Sequence, residues 1–334
     1  MKKKLLSALL CAVMVASLVI GCGSKEEPAA EAPAATEDAE VSAEEVEEAE
    51  DEENYETGDA SLDNTRNQDE IGENELLVVS FGTSFNDNRR LTIGAIEEKI
   101  EAAFPEYAVR RGFTSQIIID HVMSRDNVKI DNVAEALDRA VANGVKNLVV
   151  QPTLLMNGIE YEELTTTLAE YSDSFESVTV GEPLLTSDED FQKVATAIVD
   201  ATAEYDDGKT AIVFMGHGTH HESNAVYAKM QTVLTEGGHK NYFVGTVEGS
   251  PMLEEVMPLV EAGGYERVVL RPLMIVAGDH ANNDMAGLEE AGAWAYEFEA
   301  AGYEVVSVVE GLGQIEAIQD LLVEHTKAAV DSAK

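Results

Sequence analysis

The sequence predicts an α/β protein of two similar lobes, each a parallel sheet flanked by helices, with the active cleft between them. Three observations carry that expectation. Short, β-rich apolar runs alternate with helical patterns. The alternation restarts after Asp206-Asp207-Gly208. A stretch of the first half then recurs 120 residues later in the second.

In the first half, Glu75 to Phe81 reads as a buried strand. Arg89 to Phe104 reads as a helix, because Leu91, Ile93, Ala95, Ile96, Ile100 and Phe104 fall on one face and Pro105 stops it. Further strands are expected near Tyr107–Gly112, Lys146–Gln151 and Ser177–Val180. In the second half they are expected at Ala211–Met215, Asn241–Thr246, Arg267–Arg271 and Glu304–Val309. Residues 142–154 mirror residues 262–274: a Gly, three variable residues, three aliphatics, one variable residue, then Pro. Carried forward, this register sets Gly158 on Gly278 and Glu160 on His280. Matching Phe81-Gly82-Thr83-Ser84 to Met215-Gly216-His217-Gly218, at an offset of 134, sets Thr83 on His217. The lobes are assigned to residues 73–206 and 207–334.

The chain ahead of the lobes has a different character. Lys2, Lys3 and Lys4 precede an apolar run from Leu5 to Ile20 that ends at Gly21-Cys22. A basic start, a short apolar stretch and a Cys behind small residues predict a lipoprotein signal peptide over residues 1–22, with Cys22 lipidated and the protein exported and membrane-anchored on the extracytoplasmic side. Residues 23–72 hold 19 acidic and 2 basic residues and little apolar periodicity, which predicts a disordered, extended acidic tether. Cys11 falls inside the leader, so no disulfide is expected. Of the total charge of −42, the leader carries +3 and the tether −17, which leaves −28 on residues 73–334. That balance excludes nucleic acid as a partner and favours the approach of cations.

Chemistry-bearing residues collect at one edge. Ligands of open parallel sheets bind beyond the carboxyl ends of the strands. His217 and Glu248 closely follow two strands of the second half, and His280 follows a third just past Gly278. A lone histidine after a strand is ordinarily a hydrogen-bonded structural residue, and Glu248 alone suits a helix N-terminus. Two imidazoles and a carboxylate at one edge suit Zn²⁺, Co²⁺, Fe²⁺ or Ni²⁺. Glu160 then stands on the opposite wall, placed to move protons or guide a metal. His220 and His221 are expected at the surface or behind the site, and His121, His239 and His325 in ordinary helix or loop positions.

At these residues the sequence resembles the CbiK-type anaerobic sirohydrochlorin cobaltochelatases, among the class II tetrapyrrole chelatases. The resemblance covers nearly all of residues 75–332. It rests on Val79–Ser84, Phe113-Thr114-Ser115, Asn157–Tyr161, Met215–Thr219, Val244–Gly249 and above all Ala277-Gly278-Asp279-His280-Ala281-Asn282-Asn283-Asp284-Met285-Ala286-Gly287. It implies insertion of Co²⁺ into sirohydrochlorin in cobalamin biosynthesis, with Fe²⁺ or Ni²⁺ as alternatives and no organic cofactor. It further implies His217 as metal ligand and proton acceptor, Glu248 and His280 as the other ligands, and Glu160 as an assisting catalytic group. Its partners would be the tetrapyrrole, the membrane through the anchor alone, and further copies of the chain. Two features depart from the family: the stretch Leu288–Trp294 and the leader. A polyanionic tetrapyrrole would also need basic residues, with Arg89, Arg90, Arg110, Arg111 and Arg271 as candidates. The competing expectation is an extracytoplasmic metal or haem carrier on the same fold. A transporter's solute-binding protein shares the lipoprotein plan but lacks a reason for the His-Gly-Thr and Gly-Asp-His motifs.

Overall fold

The structure is a computed structural model that describes residues 57–289 and 291–333. The leader, Cys22 and the tether as far as residue 56 lie outside the described residues. Two four-stranded parallel sheets form the frame, in the orders β2-β1-β3-β4 and β6-β5-β7-β8. The first comprises β1 (Asn74–Ser80), β2 (Ala108–Phe113), β3 (Asn147–Pro152) and β4 (Ser177–Val180). The second comprises β5 (Thr210–Gly216), β6 (Tyr242–Thr246), β7 (Arg267–Pro272) and β8 (Glu304–Ser307). Helices on both faces explain the strand sequences: Leu76, Leu77, Val78 and Val79 are apolar without alternation because both sides of β1 are covered. Leu76 and Val78 face one apolar cluster, and Leu77 and Val79 another.

The helices are α1 (Asn86–Arg89), α2 (Ala95–Ala103), α3 (Gln116–Asp126), α4 (Val133–Ala142), α5 (Ile159–Glu170), α6 (Asp188–Asp200), α7 (Ala225–Glu236), α8 (Leu253–Gly263), α9 (Trp294–Ala300) and α10 (Glu316–Ser332). The single helix expected over Arg89–Phe104 is α1 and α2 joined by a π-helical turn, Arg90–Gly94. One apolar cluster joins the lobes, with Leu76 and Val149 from the first sheet and Ile212, Phe214 and Val269 from the second. Phe214 is fully buried within it.

Three expectations are corrected. The cut at residue 206 divides the chain but not the lobes, because α10 crosses back and packs on β3 and α2 of the first lobe. Thr326 there donates to Gln151 Oε1, and His325 stands between the Glu182 carbonyl and the Asp190 carboxylate. His325 is therefore an inter-lobe residue. Second, the tether does not extend to Gly72. Residues 57–72 form a strap on the first lobe, and the acid that suggested solvation at Asp63 is instead buried between Arg89 and Arg111 at 2.7 and 2.6 Å.

The third correction concerns the internal repeat. Val79 pairs with Pro152 as Met215 pairs with Pro272, which relates β1 to β5 by 136 positions, not 134. The hydrogen bond from Thr153 N to Val79 O recurs from Leu273 N to Met215 O. Those from Thr114 N to Ser80 O and Ser115 N to Phe81 O recur from Val247 N to Gly216 O and Glu248 N to His217 O. Phe81, not Thr83, is thus the counterpart of His217, and Ser115 the counterpart of Glu248. Gly82 and Gly218 coincide, and both hold positive φ, +111° and +90°. Glu160 on His280 survives, since β3 and β7 differ by the expected 120.

Candidate metal centre and cleft

Strand ends deliver the three expected ligands to one place. His217 directly follows β5. Glu248 follows β6 by two residues, and its amide donates to the His217 carbonyl at 2.8 Å, which continues the β5–β6 pairing past the strands. The loops approach this closely because Gly218 has no side chain: a Cβ there would lie 2.3 Å from the Gly249 nitrogen. His280 ends the loop after β7 and opens the π-helical turn Ala281–Met285. One ligating atom from each of His217, Glu248 and His280 falls within 4.8 Å of the others. The two imidazoles meet edge to face, with centroids 4.6 Å apart.

Hydrogen bonds fix the tautomers. His217 Nδ1 lies 2.8 Å from the Gly218 carbonyl, which can only accept, so Nδ1 carries the proton and Nε2 presents its lone pair. His280 Nδ1 lies 2.6 Å from Asp284 Oδ2, so the same holds there. A carboxylate behind a ligating imidazole both orients it and raises its basicity. Tyr227 supports the first loop from below. Its ring packs on Gly216, its hydroxyl accepts from Gly218 N, and burial pushes that hydroxyl up to about 12, so it stays neutral.

His217 and Glu248 line a cavity of ≈ 400 Å³, and His280 stands beside it against the His217 ring. The second lobe contributes His217, Glu248, Tyr227 and the Met274–Val276 segment; the first contributes Phe81, Leu154, Met156, Ile159 and Glu160. Glu160 is in the first turn of α5 and lines this shared space. Open ligand positions beside an apolar slot suit transfer of a metal into a flat, largely apolar partner. His220 also lines the slot, which sequence reasoning missed. His221 caps a short 3₁₀ turn and faces Glu162 of the other lobe at 3.7 Å, while His239 packs edge to face on Tyr242.

The arginines expected to receive a polyanion are elsewhere. Arg89, Arg110 and Arg111 are buried in ion pairs with Asp63, Glu75, Asp131 and Glu97, and Arg271 pairs with Glu310. Arg90 pairs with Asp87 at the surface. Among the described residues lining the cavity there is no Lys or Arg. Asp284, Tyr227 and Phe81 are functional candidates that single residues could not reveal. The His-x₃-Asp spacing, one helical turn, was the signal available for Asp284.

Two four-stranded parallel-sheet lobes, with a candidate histidine-carboxylate metal cluster beside the cleft between them, make a two-lobe chelatase fold. The solved structures of SirB from Bacillus subtilis with Fe³⁺ and of DR2241 from Deinococcus radiodurans share this fold. Their TM-scores are 0.50 and 0.52, at 14% and 18% identity, covering 78% and 76% of this chain and 97% and 55% of theirs. Within that class, the chain belongs to the cobalt chelatase (CbiK) family, whose pattern it matches over residues 74–331. It is 35% identical over 258 residues to the sirohydrochlorin cobaltochelatase of Salmonella typhimurium, spanning 77% of this chain and 97% of that one. To the sirohydrochlorin cobaltochelatase CbiKC of Nitratidesulfovibrio vulgaris it is 30% identical, over 77% of this chain and 90% of the other.

Proposed function

We propose that the protein is a sirohydrochlorin cobaltochelatase that inserts Co²⁺ into the macrocycle as a step of cobalamin biosynthesis. The convergence of His217, Glu248 and His280 beside an apolar inter-lobe slot that His217 and Glu248 line carries this reading. Co²⁺ is a substrate here, held through Nε2 of each imidazole and a Glu248 oxygen. Metallation displaces two pyrrole N–H protons, so a base must stand near the ring centre. His217, neutral with Nε2 as the acceptor, takes the first proton as the metal leaves it; Glu160, across the slot, accepts the second. The apolar walls hold the ring face, and the absence of cations from the described lining sends the ring's carboxylates outward to water. Fe²⁺ and Ni²⁺ fit the same donor set and are competing substrates. Lipidation of Cys22 anchors the protein outside the cytoplasm, and a Cys22→Ser variant that stays in the membrane fraction would contradict that anchor.

The test is the absorbance change of sirohydrochlorin on mixing with Co²⁺ and protein. Wild-type protein should accelerate it and His217→Ala should not. The leader supports a second reading, an extracytoplasmic metal or haem carrier. Tight Co²⁺ binding without any acceleration of metallation would favour the carrier.

A further inference from the structure

We infer that Asn88 is a positioning residue that holds the His280 loop in register from the opposite lobe, on a support completed by the strap. The inference rests on His280 being a metal ligand, as proposed above.

The central observation is a hydrogen bond across the lobes. The backbone N–H of Ala277 donates to Asn88 Oδ1 at 2.8 Å. Ala277 is buried and stands three residues before His280, with Gly278 between lobes: a Cβ on Gly278 would lie 3.3 Å from Thr83 Oγ1. Beyond Ala277 the loop is tied to itself, since the Gly278 carbonyl accepts from both the backbone and side-chain nitrogens of Asn282. The Asn88 contact therefore sets where a self-braced turn sits relative to the slot.

Asn88 lies on α1, the first turn of the helical run that continues through the π turn into α2. Tertiary ties fix it. The Asp87 amide donates to the Thr57 carbonyl at 2.9 Å, and Asn86 Nδ2 donates to the Gly58 carbonyl at 3.2 Å. Arg89 donates to the Thr83 carbonyl at 3.0 Å and to Asp63 at 2.7 Å. Thr57, Gly58 and Asp63 all belong to the strap, which lies N-terminal to the family-matched residues 74–331. A segment next to the tether thus braces the helix that braces the metal loop.

The experiment measures Co²⁺ binding by calorimetry, without tetrapyrrole, on the full chain and three variants. Asn88→Ala removes the acceptor and should raise the Kd about tenfold, the scale of supporting contacts around metal ligands. Asn88→Asp keeps an oxygen for the Ala277 amide and should bind within about twofold of wild type. Arg139→Ala breaks the half-buried pair with Asp131, away from α1, and should lower Tm while leaving the Kd unchanged. A wild-type Kd in Asn88→Ala overturns the inference, as does equal weakening in Asn88→Asp, or weakening in Arg139→Ala that matches Asn88→Ala. Failure of the wild-type protein to bind Co²⁺ would instead remove the metal site itself, and the inference with it.

Discussion

The two sheets share order, register and loop hydrogen bonds, yet they differ in what stands at equivalent positions. At the strand ends the second lobe has His217, Glu248 and His280 where the first has Phe81, Ser115 and Glu160. Inside the sheets the contrast reverses. Glu75 and Arg110, buried and paired across β1 and β2, correspond to Ala211 and Phe243 of β5 and β6. The first lobe therefore has buried ion pairs across its first two strands and a cleft wall whose acid is Glu160; the second has apolar residues at the matching strand positions and the candidate metal cluster at its wall. The difference gives the strap of the first lobe its physical reason. Arg89 and Arg111 are fully buried charges, which are costly unless paired, and Asp63 of the strap pairs both. Burial opposes ionisation of Asp63, but hydrogen bonds and charge from Arg111 and Arg89 outweigh it and hold that carboxyl below the usual range. In the second lobe the counterpart of Arg111 is Val244, which is buried in an apolar cluster with Phe214, Tyr227 and Met230.

That division of labour can be broken from either side. The largest effect is expected at the metal wall. His217→Ala should lower the metallation rate by at least about a hundredfold, since it removes a ligand and a base together. Phe81→Ala, at the matching position, should leave Co²⁺ affinity unchanged and raise KM for the tetrapyrrole several-fold. Equal losses in both would mean the walls are not specialised. Asp284→Asn, which keeps the shape but weakens the hold on His280, should raise the Co²⁺ Kd by about tenfold in a metal titration. Glu160→Gln should slow turnover by about tenfold at unchanged Co²⁺ Kd, because the group faces the slot but lies outside the cluster. An equal rise in Kd would make Glu160 a ligand.

The smallest effect concerns the ionic interior. Burial pushes the Glu75 carboxyl up to about 7, against the pull of Arg110 and Arg139. Its folded value is above its unfolded one, so the native state binds the proton more tightly. The stability this adds is fully present below about pH 4.5 and is lost as pH rises through about 7; the shift corresponds to about 3 kcal/mol. Denaturation midpoints followed from pH 4.5 to 8 should show this slope in the wild type and lose it in Glu75→Gln. Ala211→Ser in the second lobe should leave the slope in place.

Much of the site was legible in advance because its residues lie at the ends of strands with strong patterns. The three aliphatics before Pro152 and Pro272 fixed β3 and β7, and with them the pairing of Glu160 with His280. The register of the first strands was misread for a definite reason. Aligning Gly82 with Gly216 matched letters, whereas the backbone matches Gly82 to Gly218, the pair with positive φ. Sequence does not show which glycine turns the chain. The strap was misread because an acidic, weakly apolar stretch reads as solvated unless its counter-charges are known. Arg89 and Arg111 looked like surface cations for the same reason.

By itself, the sequence determined the alternation of strands and helices, the duplication and the candidacy of His217, Glu248 and His280 as one cluster. Periodicity and strand-end placement are local properties, and the local chain encodes them. Only the tertiary structure decided that α10 belongs in space to the first lobe, that the arginines are spent on Asp63, Glu97 and Asp131, and that Asn88 meets Ala277. Those outcomes depend on which distant groups share a low-dielectric interior, where an unpaired charge or amide is costly and each must find a partner.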